Sequence, residues 1–114
     1  MPAIETFANI YFDREYEITM SIPEFSCICP RTQLPDYAHL SLTYVPDTLC
    51  LELKSFKEYL VAYRNRGIFH ENVVNRVLDD MIAAAAPRRA RLEGVFNSRG
   101  GIQTTVVREY SKSG

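Results

Sequence analysis

Tryptophan is absent, glycine is sparse at 5 of 114 residues, and neither sign of charge prevails, with 13 Lys and Arg against 14 Asp and Glu. So even a balance creates no field that would draw the chain to nucleic acid or to an anionic membrane surface, and neither is expected as a partner. No apolar run approaches the roughly 20 residues that a bilayer-spanning helix needs, and the N-terminus has no signal-peptide pattern. Three cysteines are an odd count without framework spacing, and Cys27 and Cys29 stand too close for a structural disulfide. A reducing, cytoplasmic compartment is therefore the expectation. Cys-x-Cys without a companion His or Cys cluster is not a zinc pattern, so no metal is expected. Gly-x-Gly-x-x-Gly is missing too, which excludes a Rossmann unit for any dinucleotide. With no internal repeat, low-complexity tract or linker, residues 1–114 read as a single domain with a modest core.

What is present is periodicity. Residues 1–14 carry no clear period and read as an arm with a short strand. From Glu15, Tyr16, Ile18, Met20 and Ile22 alternate with polar neighbours, as in a half-buried strand. A second alternation follows in Ala38, Leu40, Leu42 and Tyr44, and Pro46-Asp47 ends it. A helix is expected from about Lys54, with Phe56, Leu60 and Tyr63 on one face and Gly67 as its stop. A second is expected from about Glu71, where Val74, Val77, Leu78, Met81, Ile82 and Ala85 form an apolar stripe before Pro87. Two strands close the chain, one through Leu92 and Phe96 and one through Ile102, Thr104 and Val106, with Gly100-Gly101 turning between them. The predicted class is α+β: an antiparallel four-stranded sheet in the order ββααββ, both helices on one face. Its edges would be unprotected, a liability that edge-to-edge association removes.

The chemistry gathers in Glu24-Phe25-Ser26-Cys27-Ile28-Cys29-Pro30 and in Asp36, seven residues beyond Cys29. Pro30 and Pro35 bracket a compact polar loop. A thiol and a carboxylic acid on one tight loop are the parts needed for nucleophilic attack with proton delivery. They are equally what a buried core cysteine and a turn-forming aspartate would look like. Alternation places Cys27 and Cys29 on the same side, and spacing does not choose between them. Cys50 reads as core. Glu71 at a helix start can cap backbone N–H groups, Lys54 and Lys57 can be a solvated face, and Gly100-Gly101 can be an ordinary hairpin turn.

Several motifs in order resemble one family. Pro23 to Tyr44 is similar to the cysteine loop of the NADPH-dependent 7-cyano-7-deazaguanine reductases, the nitrile reductases of queuosine biosynthesis, and Glu52-Leu53-Lys54-Ser55-Phe56-Lys57-Glu58-Tyr59 fits that family's signature. Tyr63 to Asn72 resembles its purine-site segment and Arg99-Gly100-Gly101-Ile102 its C-terminal motif, so the likeness runs from roughly Glu17 to Ile102. The resemblance implies the tunnelling fold, with small subunits joined into a homo-oligomeric ring and active sites between neighbours; two stacked pentamers are one arrangement it admits. It also implies Cys29, the cysteine directly before Pro, as nucleophile and Asp36 as proton donor. Glu71 would hold the deazaguanine edge as a bidentate acceptor, with His70 and Glu52 assisting. Lys54, Ser55, Lys57, Arg99 and Gly100 would bind NADPH.

The implied reaction is reduction of the nitrile of 7-cyano-7-deazaguanine to a primary amine, 7-aminomethyl-7-deazaguanine, through a Cys29 thioimide and two hydride transfers. A related amidinotransferase acting on the same nitrile carried by tRNA would share Cys29, Asp36 and Glu71 but need no nicotinamide. The Lys-Ser-Phe-Lys signature and the lack of a basic balance speak against it. A non-catalytic module that binds a purine or pterin is the remaining alternative, and the intact Cys29 and Asp36 oppose it.

Overall fold

The computed structural model describes residues 1–112. Four strands form an antiparallel sheet in the spatial order β2 (Ile18–Ile28), β3 (Pro35–Val45), β5 (Arg89–Phe96) and β6 (Thr105–Ser111). Between β3 and β5 the chain makes α1 (Leu53–Val61), a 3-10 turn (Ala62–Asn65) and α2 (His70–Ala85). A two-stranded ribbon stands apart from the sheet, with β1 (Thr6–Ala8) paired antiparallel to β4 (Leu49–Leu51). The short strand expected in the N-terminal arm is thus β1. Its partner β4 gave no signal, because three residues are too few to show a period. Among the described residues no helix is long and apolar enough to cross a membrane.

Alternation seats the core as the sequence pattern requires. Ala38, Leu40, Leu42 and Tyr44 of β3 are buried, as are Ala90, Leu92 and Phe96 of β5. Against them pack Val73, Val74, Val77, Leu78, Met81 and Ala85 of α2, with Phe56, Tyr59 and Leu60 of α1. The α2 stripe therefore includes Val73, while Ile82 lies at its half-buried margin. Gly94 explains how α2 comes so close to the sheet: a Cβ there would lie 2.9 Å from Val74 Cγ2 and 3.1 Å from Leu40 Cδ2. Ala86, with φ 44°, ends α2 in the left-handed conformation and Pro87 prevents its continuation.

Three expectations need correction. Gly67 does not stop the first helix, which ends at Val61; the tighter 3-10 turn that follows seats Tyr63 edge-on against Tyr59, with their hydroxyls 2.8 Å apart. Gly67 instead bridges in parallel to Ile28, flanked by Ile28 N–H donating to Arg66 O at 2.8 Å and Ile68 N–H to Ile28 O at 3.0 Å. The last strand starts at Thr105, because Ile102 is used in a tight turn with Arg99. The first long strand starts at Ile18, because Tyr16 turns its hydroxyl to Asn9 Oδ1 at 2.6 Å.

Strand β2 also runs further than the pattern suggests, and it does so through a bulge. Ile22 pairs with Leu40 but Phe25 pairs with Ala38, so one extra residue enters between them. The insertion reverses which residues face the core. Before it, Ile18, Met20 and Ile22 point inward; after it, Phe25 and Cys27 do.

Candidate active site

The β2–β3 hairpin closes through the loop from Cys29 to Leu34. Cys29 N–H donates to Leu34 O at 2.9 Å, and Gln33, at φ 64°, returns its N–H to Cys29 O at 2.9 Å. Cys27, within the strand, has no exposed surface; its thiol faces Ile68 O at 3.8 Å, and burial pushes that thiol up to about 11. Cys29 lies past the strand end and is half-buried. The Thr32 hydroxyl and the backbone N–H groups of Thr32 and Arg31 gather on its sulfur and hold the thiol below the ordinary cysteine range. The Thr32 hydroxyl accepts from Leu34 N–H at 3.2 Å, which leaves its proton for the sulfur. The two cysteines that spacing could not separate are separated by environment. Thr32 itself went unread, since a hydroxyl in a Pro-bracketed loop carries no periodic signal.

Asp36, directly across from Cys27 in the β2–β3 register, is the hub of the site. Its side chain is 6% exposed, with His70 Nε2 3.1 Å from Oδ2 and Arg99 Nε 3.1 Å from Oδ1. The Ile28–Gly67 bridge carries the chain along the end of β2, so that α2 begins beside Asp36 with His70 as its first residue. The imidazole is fixed by stacking on Phe96, ring centroids 3.8 Å apart and 10° from parallel. Phe96 belongs to the core in the sequence pattern, and nothing local marks it as a support for His70.

Glu71 follows as the second residue of α2. No side chain caps this helix; Phe69 occupies the N-cap, and the Glu71 carboxylate has no hydrogen bond or ion pair among the described residues. The capping reading of Glu71 therefore fails, and an exposed acceptor is left at the rim. Glu52 is its opposite. Both its oxygens are taken by the start of α1, Oε2 by Lys54 N–H at 2.8 Å and Oε1 by Ser55 N–H at 2.7 Å. Ser55 is buried, its hydroxyl donating to Glu52 O and accepting from Glu5 N–H, both at 2.9 Å. Within the chain neither residue has a hydrogen bond or ion pair to Cys29, Asp36 or His70; both tie α1 to the chain before it.

For a nicotinamide dinucleotide the fit is partial. The N–H groups at the start of α1 already serve the Glu52 carboxylate, which would repel an anion there. Lys54 and Lys57 remain exposed. Lys57 also borders a groove of about 790 Å³ between β2 and α1, together with Arg64 and the apolar Phe25, Phe56 and Leu60. Two cations beside an apolar wall suit phosphates joined to flat rings. Cys29 does not line this groove. Gly100, at φ 59°, and Gly101, at φ 82°, form the β5–β6 turn and leave open space around themselves. Among the described residues no group of three or more His, Cys, Asp or Glu is arranged to hold a metal ion.

The four-stranded antiparallel sheet with its two intervening helices defines an α+β protein of the tunnelling-fold class, and it gathers a polarised thiol, a buried carboxyl joined to an imidazole and a free carboxylate as a candidate site. Its fold matches the crystal structure of the apo archaeosine synthase QueF-Like with a TM-score of 0.72, at 24% identity, over 83% of this chain and 91% of that one. Residues 35–114 match the family described as QueF-like protein. The NADPH-dependent 7-cyano-7-deazaguanine reductase of Nitrosococcus oceani is 54% identical over 111 residues, 97% of this chain and 86% of the relative. Its counterpart in Chlorobaculum tepidum is 51% identical over 110 residues, 96% of this chain and 94% of the relative. The chain belongs to the family of NADPH-dependent 7-cyano-7-deazaguanine reductases.

Proposed function

We propose that this chain reduces the nitrile of 7-cyano-7-deazaguanine to the aminomethyl group with NADPH, in the cytoplasm, as one tunnelling-fold domain in a ring of like copies. The observation that carries the reading is the hairpin itself, which polarises Cys29 and sets Asp36 beside His70. The Cys29 sulfur attacks the nitrile carbon, one C≡N electron pair moves to nitrogen, and the nitrogen takes a proton, leaving a thioimide. Asp36 is the group that delivers this proton, with His70 joined to its Oδ2 as the route by which it is replaced. Glu71 accepts from the ring N–H and exocyclic amine of the deazaguanine. The cofactor, when bound, supplies hydride for each of the two reductions, and Lys54, Lys57 and Arg99 are the cations that would hold its phosphates.

Assembly into a ring is supported by two features. Strands β2 and β6 are the sheet's edges and have no outer partner among the described residues. Around the site Leu34, Tyr37, Phe69 and Ile102 are all more than 40% exposed, an apolar rim that a neighbouring copy would cover.

The test is direct. Protein mixed with the nitrile alone should show, by intact-mass spectrometry, an adduct of the nitrile's full mass. Cys29→Ala should abolish it and Cys27→Ala should keep it; Asp36→Asn should slow it. Adding NADPH should then consume nicotinamide absorbance. A protein that forms the adduct, never oxidises NADPH, and instead consumes ammonia or glutamine with nitrile-bearing tRNA is an amidinotransferase, and the reductase reading is wrong.

A further inference from the structure

Arg99 lies 63 residues from Asp36 in sequence, and its placement is costly to arrange. After Phe96 the chain leaves β5, and Asn97 N–H fastens it to Tyr37 O of β3 at 2.9 Å. Arg99 and Ile102 then exchange backbone hydrogen bonds of 2.8 and 3.0 Å across two glycines, both with positive φ. A Cβ on either glycine would meet nothing within 4 Å, so the glycines serve the turn's conformation and not its packing. This tight turn aims Arg99 at the start of β3. There Nε donates to Asp36 Oδ1 at 3.1 Å and Nη2 donates to the carbonyl of Pro35.

The guanidinium thus grips both the carboxyl group and the backbone just before it. Asp36 has two oxygens, and Arg99 occupies one. The other is left turned toward His70. A carboxyl held by one partner can rotate about its Cβ–Cγ bond; one held at both oxygens and at the preceding carbonyl cannot. The groups that face Asp36 are His70 from α2, Arg99 from the β5–β6 turn, Cys27 from β2 and Cys29 from the loop. Arg99 donates both to the carboxyl group and to the carbonyl just before it. An isolated exposed ion pair would mean little. Here the guanidinium donates to two acceptors, Asp36 Oδ1 and the Pro35 carbonyl, and the acceptor side chain is almost wholly buried.

We infer that Arg99 is a positioning residue for Asp36, holding Oδ1 so that the proton leaves from the Oδ2 side, toward the nitrile nitrogen. The inference rests on the proposed role of Asp36 as proton donor, and it goes beyond the cofactor role that the family resemblance implies for Arg99. The two roles are compatible, because the side chain is 45% exposed and only Nε and Nη2 are engaged among the described residues. They are also separable, because thioimide formation precedes any hydride transfer and needs no cofactor. Misplacing a reacting group by about 1 Å costs on the order of 100-fold in rate, so a loosened Asp36 should be visible in the first step.

The experiment measures the rate of adduct formation from 7-cyano-7-deazaguanine without NADPH, by intact mass against time, in wild type, Arg99→Ala and Arg99→Lys. Both variants should slow the adduct by about 10-fold or more, because one ammonium group cannot bridge Asp36 and Pro35 O together. Cys29 alkylation by iodoacetamide should keep its wild-type rate, and millimolar guanidinium ion, but not ammonium, should restore part of the Arg99→Ala rate. Arg99→Lys keeps the charge and the aliphatic stem, and carries the test if Arg99→Ala does not fold. Adduct formation at the wild-type rate with only the KM for NADPH raised overturns the inference and leaves Arg99 a cofactor residue. Adduct formation and alkylation slowed together, without guanidinium rescue, overturn it in favour of a purely structural turn. A wild-type protein that forms no adduct at all removes the proposed reaction, and the inference with it.

Discussion

Glu52 and Glu71 each stand at the beginning of a helix, and the two helix starts are put to opposite uses. Glu52 spends both oxygens on the first N–H groups of α1. Glu71 spends neither, and α2 begins without any side-chain cap. The same division separates Cys27 from Cys29. One is sealed into the core against Ile68 O, the other sits where a hydroxyl and two N–H groups polarise its sulfur. In each pair one member is absorbed by the fold and the other is left with unspent bonding capacity. That residual capacity, and not residue type, marks the candidate site.

The largest expected effect would sharpen the contrast between the two glutamates. Glu71→Leu should weaken 7-cyano-7-deazaguanine binding by on the order of 3 kcal/mol, over 100-fold in Kd by calorimetry, because it removes a charge-assisted bidentate acceptor. Its unfolding temperature should barely move. A large loss of thermal stability with unchanged affinity would place Glu71 with Glu52 and dissolve the comparison. Glu52→Ala should do the reverse, lowering Tm by on the order of 4 °C through loss of the α1 cap while substrate affinity stays near wild type. Equal losses of affinity in both variants would mean that Glu52 also reaches the substrate.

The smallest expected effect concerns the cysteines and is a shift in pH. Hydrogen bonds to the thiolate favour the charged form and so lower the thiol's pKa. Iodoacetamide alkylation of Cys29 should therefore reach half its maximal rate below the ordinary cysteine range, and Thr32→Val should move that midpoint upward by removing the hydroxyl donor. Cys27, its thiol pushed up to about 11, should stay unmodified throughout. A midpoint indifferent to Thr32→Val would leave only the loop N–H groups to set Cys29 apart.

Much of the fold was legible because it is written in near-neighbour periodicity. The alternation from Ala38 to Tyr44, the helical stripe from Val74 to Ala85 and the Gly100-Gly101 turn all depend on residues a few positions apart. Pro30 and Pro35 bracketed the Cys29 loop for the same local reason. The family motifs then pointed to Cys29, Asp36, His70 and Glu71. The motif spanning Glu52 and Ser55 also carries a local structural task that the family likeness does not announce, since within the chain both side chains hydrogen-bond at the start of α1.

By itself, then, the sequence determined the long elements, the order in which they occur and the loop that carries Cys29. The bulge between Ile22 and Phe25 turned Cys27 into the core, and the end of β2 at Ile28 left Cys29 on the loop, half-buried. The Ile28–Gly67 bridge decided where His70 stands, and a two-glycine turn 63 residues from Asp36 in the chain delivers Arg99 to it. A one-residue change of register flips every side chain beyond it, and contacts between segments this distant exist only once strands, bridge and turn have closed together.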